Sequence, residues 1–176
     1  MRLTAILILL VQLALGYEYN TFLLKSQIDL YPKILLFDRK FAQKIDDGVV
    51  DFFILYEPVD RYSAQRIVEQ LRKKYRRIGR FKVRFKALNV LTFLSDKNIK
   101  ADALYILKMS PNRLEKVAKR ARNIYTFVYD VKDLREGFLV GLEIEKDIRI
   151  VMNKKILQRG DFDFINEIYL MARFVE

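Results

Sequence analysis

The sequence contains no histidine, no cysteine and no tryptophan. Without cysteine there is no disulfide, no thiolate nucleophile and no thiolate-held metal cluster. Without histidine there is no imidazole base, and the common zinc and haem ligand sets are excluded. Glycine and proline are scarce, at six and three residues. Neither a GxGxxG nor a GxxxxGK[ST] occurs, which argues against a dinucleotide or P-loop phosphate site. No internal repeat, low-complexity tract or Gly/Ser/Pro-rich linker interrupts the chain. The acid–base groups with near-neutral reach are therefore carboxylates alone.

What is present suits one packed domain. The chain has 176 residues, of which 52% are hydrophobic, so intrinsic disorder is not expected. Residues 1–16 read MRLTAILILLVQLALG. Arg2 supplies a positive start, Leu3 to Leu15 an apolar run, and Ala14 and Gly16 the small residues a signal peptidase prefers. The run is shorter than the ~20 residues of a membrane span. A signal peptide cleaved after Gly16 is expected, leaving residues 17–176 as a single domain, soluble in the periplasm. Such a domain lacks disulfides and must hold itself together by packing.

The charge is uneven. The chain carries 33 basic and 22 acidic residues, a formal +11. Residues 72–86, RKKYRRIGRFKVRFK, hold nine basic residues in fifteen and no acid. Arg113, Lys116, Lys119, Arg120 and Arg122 form a second group. A basic surface attracts anions. Export turns the expectation from nucleic acid toward anionic lipid, envelope polymer or acidic protein faces. The partner-binding candidates are Lys73, Lys74, Arg76, Arg77, Arg80, Arg84 and Lys86. A plain solvated face, or general Lys and Arg enrichment in a hot habitat, accounts for the same pattern. Phe81 and Phe85 beside Arg80 and Arg84 have the look of a base-stacking strand, and simple alternation explains them equally.

Hydrophobic periodicity orders the middle of the chain. Residues 49–56, VVDFFILY, read as a strand covered on both faces. Residues 63–77 read as an amphipathic helix with Ala64, Ile67, Val68, Leu71 and Tyr75 inward, capped by Asp60 and stopped at Gly79. Residues 80–88 alternate as a half-buried strand near an edge. Residues 102–107 form a further strand. Ser110-Pro111 open a helix over 111–122, and 124–129 form a third buried strand. A first helix is predicted to end or kink at Pro32. Residues 138–144 and 148–152 read as a hairpin, and 161–173 as a helix. The predicted fold is a single three-layer α/β sandwich with a mainly parallel central sheet and an antiparallel C-terminal hairpin.

In a parallel sheet the C-terminal strand ends cluster and form the usual ligand crevice. Glu57, Asp60, Ser110 and Asp130 all follow predicted strands and are the ligand-binding candidates there. Capping and strand termination explain the same residues. Ser110 has no histidine to activate it, so catalysis is not expected. No catalytic residue, cofactor or metal site is assigned. Tyr31, Tyr56, Tyr62, Tyr75 and Tyr129 suit either core packing or a groove wall.

Residues 137–175, GFLVGLEIEKDIRIVMNKKILQRGDFDFINEIYLMARFV, resemble the end of the YfiR-type periplasmic domain. Gly137 matches its glycine, Ile148 to Asn153 its strand into Asn, and Leu170-Met171-Ala172-Arg173 the end of its final helix. Thr126 to Asp130 match the last buried strand of the main sheet. The Trp-Pro, the cysteine pairs and the glycine-rich start of better-known members are missing, so no redox mechanism carries over. The resemblance implies a periplasmic, non-enzymatic regulator or adaptor. It would bind the periplasmic part of a membrane-bound signalling protein, such as a diguanylate cyclase or sensor kinase, and form a homodimer. The alternatives are a periplasmic solute-binding component of a transport system and a structural protein binding envelope polymer.

Overall fold

The computed structural model describes residues 18–176, and the predicted signal segment 1–16 lies outside the described residues. The elements in chain order are α1 (Thr21–Ile34), β1 (Val49–Tyr56), α2 (Arg61–Lys74), β2 (Arg77–Ile78), β3 (Phe81–Asn89), α3 (Val90–Ser95), β4 (Ala103–Ile106), α4 (Pro111–Arg120), β5 (Tyr125–Val128), β6 (Val140–Ile144), β7 (Ile148–Asn153), α5 (Lys154–Arg159), α6 (Asn166–Met171) and β8 (Arg173–Val175). One eight-stranded sheet runs in the order β2-β3-β1-β4-β5-β6-β7-β8. Strands β3, β1, β4, β5 and β6 are parallel to their neighbours, whereas β2 and β7 are antiparallel to β3 and β6. This is the predicted α/β sandwich with its C-terminal hairpin.

The layers follow from the strand periodicity. In β1, Val50, Phe52, Ile54 and Tyr56 point to one face and Phe53 and Leu55 to the other. Ile28, Tyr31 and Ile34 of α1 and Ala64, Ile67, Val68 and Leu71 of α2 cover the first face. Val90 and Phe93 of α3 and Leu114, Val117 and Ala118 of α4 cover the second. Each of these larger side chains contributes about 1.5–3 kcal/mol by leaving water. Both faces of β1 are thus buried, which is why its sequence shows no polar alternation.

The chain leaves β1 through α2 to β3 on one side, then crosses back through α3 to β4 on the other. Strand order therefore reverses between β1 and β4. A crevice opens beyond the carboxyl ends of strands at such a point, because the two connections diverge there.

Several boundaries differ from expectation. α1 continues past Pro32 to Ile34. Tyr31, Pro32 and Ile34 are all buried, and that packing outweighs the backbone bond that proline forfeits. α2 ends at Lys74, not 77, because Arg77 and Ile78 pair with Lys82 and Phe81 as β2. Gly79 turns this hairpin rather than stopping a helix, with φ of +56°. A Cβ there would also lie 2.9 Å from Leu36 Cδ2. Gly79→Ala is expected to cost about 1–2 kcal/mol through left-handed strain. Urea unfolding of the variant measures this directly, and an unchanged midpoint would mean that the turn relaxes freely. The predicted helix 161–173 is only α6, and β8 follows it, parallel to β7.

Candidate functional site

The crevice beyond β1, β4 and β5 gathers most of the predicted ligand residues, in two groups. In the first, Glu57 accepts hydrogen bonds from the Ser110 backbone N–H and hydroxyl, both at 3.0 Å. Arg113 Nη1 pairs with the same carboxylate at 2.8 Å. Desolvation pushes Glu57 up, but these donors outweigh it and hold the carboxyl below its ordinary range. Ser110 occupies the N-cap position of α4 without a side-chain capping bond, since its hydroxyl is turned to Glu57. The expected cap is thus replaced by a strap between β1 and α4.

The second group contains Asp60, which is 1% exposed at the start of α2. Its carboxylate does not cap α2, contrary to expectation. It accepts from the Tyr19 hydroxyl at 2.9 Å. The Tyr19 ring meets Tyr129 edge-on, with centroids 4.7 Å apart. Lys108, just beyond β4, sets its ammonium 5.7 Å and 5.4 Å from the centres of these two rings. Lys108 Nζ donates to the Glu18 carbonyl at 2.7 Å, and the Asn20 N–H donates to the Tyr129 hydroxyl at 2.7 Å. Burial, with Asp60 adding to it, drives the Tyr19 hydroxyl far above its ordinary pKa, so it stays a donor.

Asp130 joins neither group. Its carboxylate accepts from the Lys132 N–H at 3.0 Å and starts the 3-10 turn of Val131–Glu136. It does line an open cleft of about 410 Å³ beside Tyr129, together with Asn20, Leu23, Lys108, Leu142 and Glu143. Sequence reasoning named Tyr129 as a groove candidate but missed Tyr19 and Lys108. Nothing local marks Tyr19 as the partner of a carboxylate 41 residues away.

Asp133 stands in the same turn. Burial raises its carboxyl from 3.8 to about 6, with Asp130 and Glu136 adding to the shift. A raised carboxyl favours the folded state while protonated. Stability from this group is full below about pH 4 and falls as pH rises through about 6. Asp133→Asn is expected to remove that slope and to gain about 1 kcal/mol at pH 7, after discounting for partial exposure. Denaturation curves at pH 4 and pH 7 give the comparison. Equal gains at both pH values would place the effect elsewhere.

The basic strip is less free than its sequence suggests. Lys74 pairs with Asp29, Arg84 with Asp51, and Arg77 donates to the Arg80 carbonyl at 2.6 Å. Arg80 lies over the Phe81 ring, 5.0 Å from its centre. Lys73, Arg76 and Lys86 are exposed. Phe81 and Phe85 are buried in the core, so neither offers a face for base stacking.

Ser110 donates to a carboxylate held ionised, and Glu57 below its ordinary range is a poor base at neutral pH. Among the described residues, no group of three or more acids is placed to hold a metal ion, and no helix is long and apolar enough to cross a membrane.

No protein-family model matches the sequence, and no curated protein matches it. Solved structures do share the fold. A conserved domain protein from Vibrio cholerae O1 biovar El Tor is similar at a TM-score of 0.61 and 12% identity, over 87% of this chain and 60% of that one. An ABC domain in complex with L-Trp from Streptococcus pneumoniae is similar at a TM-score of 0.56 and 12% identity, over 87% of this chain and 62% of that one. This chain therefore spans about three fifths of the length of either structure. At this identity the likeness is one of fold: an α/β domain with a crevice at the strand ends.

Proposed function

We propose that the chain is an exported solute-binding domain that holds a small ligand in the crevice beyond β1, β4 and β5. One observation carries this reading. A buried carboxylate, an ammonium and aromatic hydroxyls converge at the point where strand order reverses, beside an open cleft. The fold likeness to a domain solved with L-Trp supports it. A panel of small solutes, with L-Trp and other amino acids first, tests it by thermal unfolding. A ligand present well above its dissociation constant stabilises by about 2.7 kcal/mol at a hundredfold excess, which raises Tm by several degrees. The rise is expected to vanish in Lys108→Ala. A panel that moves no Tm, followed by equilibrium dialysis that retains no solute, overturns the reading.

The regulator reading rests on the exposed Lys73, Arg76 and Lys86. In that case the domain binds an acidic face on a membrane signalling protein, the charges speeding encounter more than adding affinity. Crosslinking in cells separates the two. Capture of one signalling protein, lost on reversing Lys73, Arg76 and Lys86 to Glu, supports the regulator. Unchanged capture sinks the basic-surface mechanism.

A further inference from the structure

Strand β3 is paired along nearly its whole length on one side and hardly at all on the other. Its inner side pairs with β1 over residues 82–89. Its outer side pairs with β2 through Phe81 and Lys82 alone. Among the described residues no strand pairs with the outer side of residues 83–89. The Lys82 N–H donates inward, to the Gly48 carbonyl at 3.1 Å. Backbone groups alternate along a strand, so those of Val83, Phe85 and Ala87 point outward. Arg72 of α2 marks the same direction. Its Nε and Nη2 donate to the Phe85 carbonyl at 3.2 Å and 2.7 Å. A guanidinium on an exposed residue thus stands where the N–H of a further strand would stand.

The two faces beside this edge differ. On the face away from α2, Lys82, Arg84 and Lys86 are exposed. Arg84 pairs with Asp51, whereas Lys82 and Lys86 form no ion pair among the described residues. On the α2 face, the half-buried Tyr75 and Val83 and the exposed Arg76 line an open cleft of about 390 Å³. Lysine along an edge discourages a like-charged strand. A second copy of β3 would bring the same three cations, and like charges set opposite each other repel. A strand with acids at alternate positions meets the opposite field. Its acids lie beside Lys82 and Lys86, and its apolar residues fall toward Tyr75 and Val83.

We propose that the outer edge of β3 docks an extended acidic segment of a partner protein, which adds a strand to the sheet and takes the Phe85 carbonyl from Arg72. The released guanidinium joins the cations that hold the acids. The site is independent of the strand-end crevice and of any solute held there. It gives the regulator alternative a contact made by backbone as well as by charge.

A fluorescein-labelled peptide alternating glutamate and valine probes the edge by anisotropy. It is expected to bind the full chain saturably at low salt, and at least tenfold more weakly at high salt. A lysine–valine peptide is expected to bind at least tenfold more weakly. Lys82→Gln with Lys86→Gln is expected to weaken the glutamate–valine peptide at least tenfold. Amide exchange on the native chain, read by NMR, separates strand addition from attraction of charge alone. In the bound form exchange at Val83, Phe85 and Ala87 is expected to slow at least tenfold, since their N–H groups gain acceptors. The Arg72 Nε–H resonance is expected to shift as its carbonyl is taken. No saturable binding at low salt, equal binding of the lysine–valine peptide, or unchanged binding by the double variant overturns the site. Binding without added protection at the three amides, or with the Arg72 signal unmoved, overturns strand addition. The solute-binding reading is untouched by any of these results, because it stands or falls on the solute panel.

Discussion

Tyr31→Ala is expected to cost about 4 kcal/mol of folding stability, and Tyr31→Phe about 1 kcal/mol. Tyr31 is 1% exposed in the third turn of α1. Its ring stacks on Phe127 at 4.7 Å and meets Tyr105 edge-on at 5.2 Å. Its hydroxyl donates to the Val128 carbonyl at 2.6 Å. One turn earlier the buried Gln27 donates to the Tyr129 carbonyl at 2.8 Å and accepts from the Tyr105 hydroxyl. The β5–β6 pairing ends at Val128 opposite Gly141, so side chains of α1 take up the carbonyls at the close of β5. Truncation removes aromatic packing and leaves a cavity between helix and sheet. Tyr31→Phe keeps the packing and forfeits one bond, whose acceptor Gln27 Nε2 still approaches at 3.4 Å. The difference between the two variants, measured by urea unfolding, separates ring from hydroxyl. A cost below 2 kcal/mol for Tyr31→Ala would show that α1 contributes little to the core. Because Asn20 caps α1 directly after Tyr19, the docking of α1 also fixes where Tyr19 enters the crevice.

The parts of the fold that sequence made legible are those that local burial periodicity writes. β1 was read to the residue, since only a strand covered on both faces tolerates Phe52-Phe53-Ile54-Leu55 in succession. The α2 stripe and the alternation of Phe81, Val83 and Phe85 were equally plain. Pro32 misled because a local preference was overruled by packing from Tyr31 and Ile34. β8 was missed because three residues, two of them exposed, carry no period, and helical spacing runs on through Met171 into them. The site was legible in outline only. Strand ends in a parallel sheet converge, so Glu57, Asp60 and Ser110 were found by position. Their partners were not, because each contact spans a sequence distance that no local pattern records. Ser110 meets Glu57 across 53 residues, and Tyr19 meets Asp60 across 41. The basic strip was over-read for the converse reason. Asp29 and Asp51, which engage Lys74 and Arg84, lie outside its sequence window.

Glu57→Gln is expected to cost about 2–3 kcal/mol at pH 7, and the cost is expected to shrink as pH falls. The native carboxylate is 8% exposed and joins β1 to α4 through two bonds from Ser110 and one ion pair with Arg113. Hydrogen bonds to a charged acceptor contribute about 1.5–3 kcal/mol, and a single neutral amide cannot accept all three donors. Arg113, half-buried, is left facing an amide that gives it no charge to offset. The folded carboxyl lies below its ordinary 4.5, so its contribution is present above the unfolded value and is lost as pH falls through the folded one. Native and variant stabilities should therefore converge on acidification. Urea unfolding of both proteins at pH 7 and at successively lower pH values tests this. A constant gap would mean that the loss is one of shape, with the charge contributing nothing. Convergence would establish that an ionised Glu57 holds the floor of the crevice, and that the site's rigidity is set by charge where β1 meets α4. The double variant Glu57→Gln with Arg113→Gln then completes the argument. Removing both charges leaves no unpaired guanidinium, so its cost is expected to be less than the sum of the single costs.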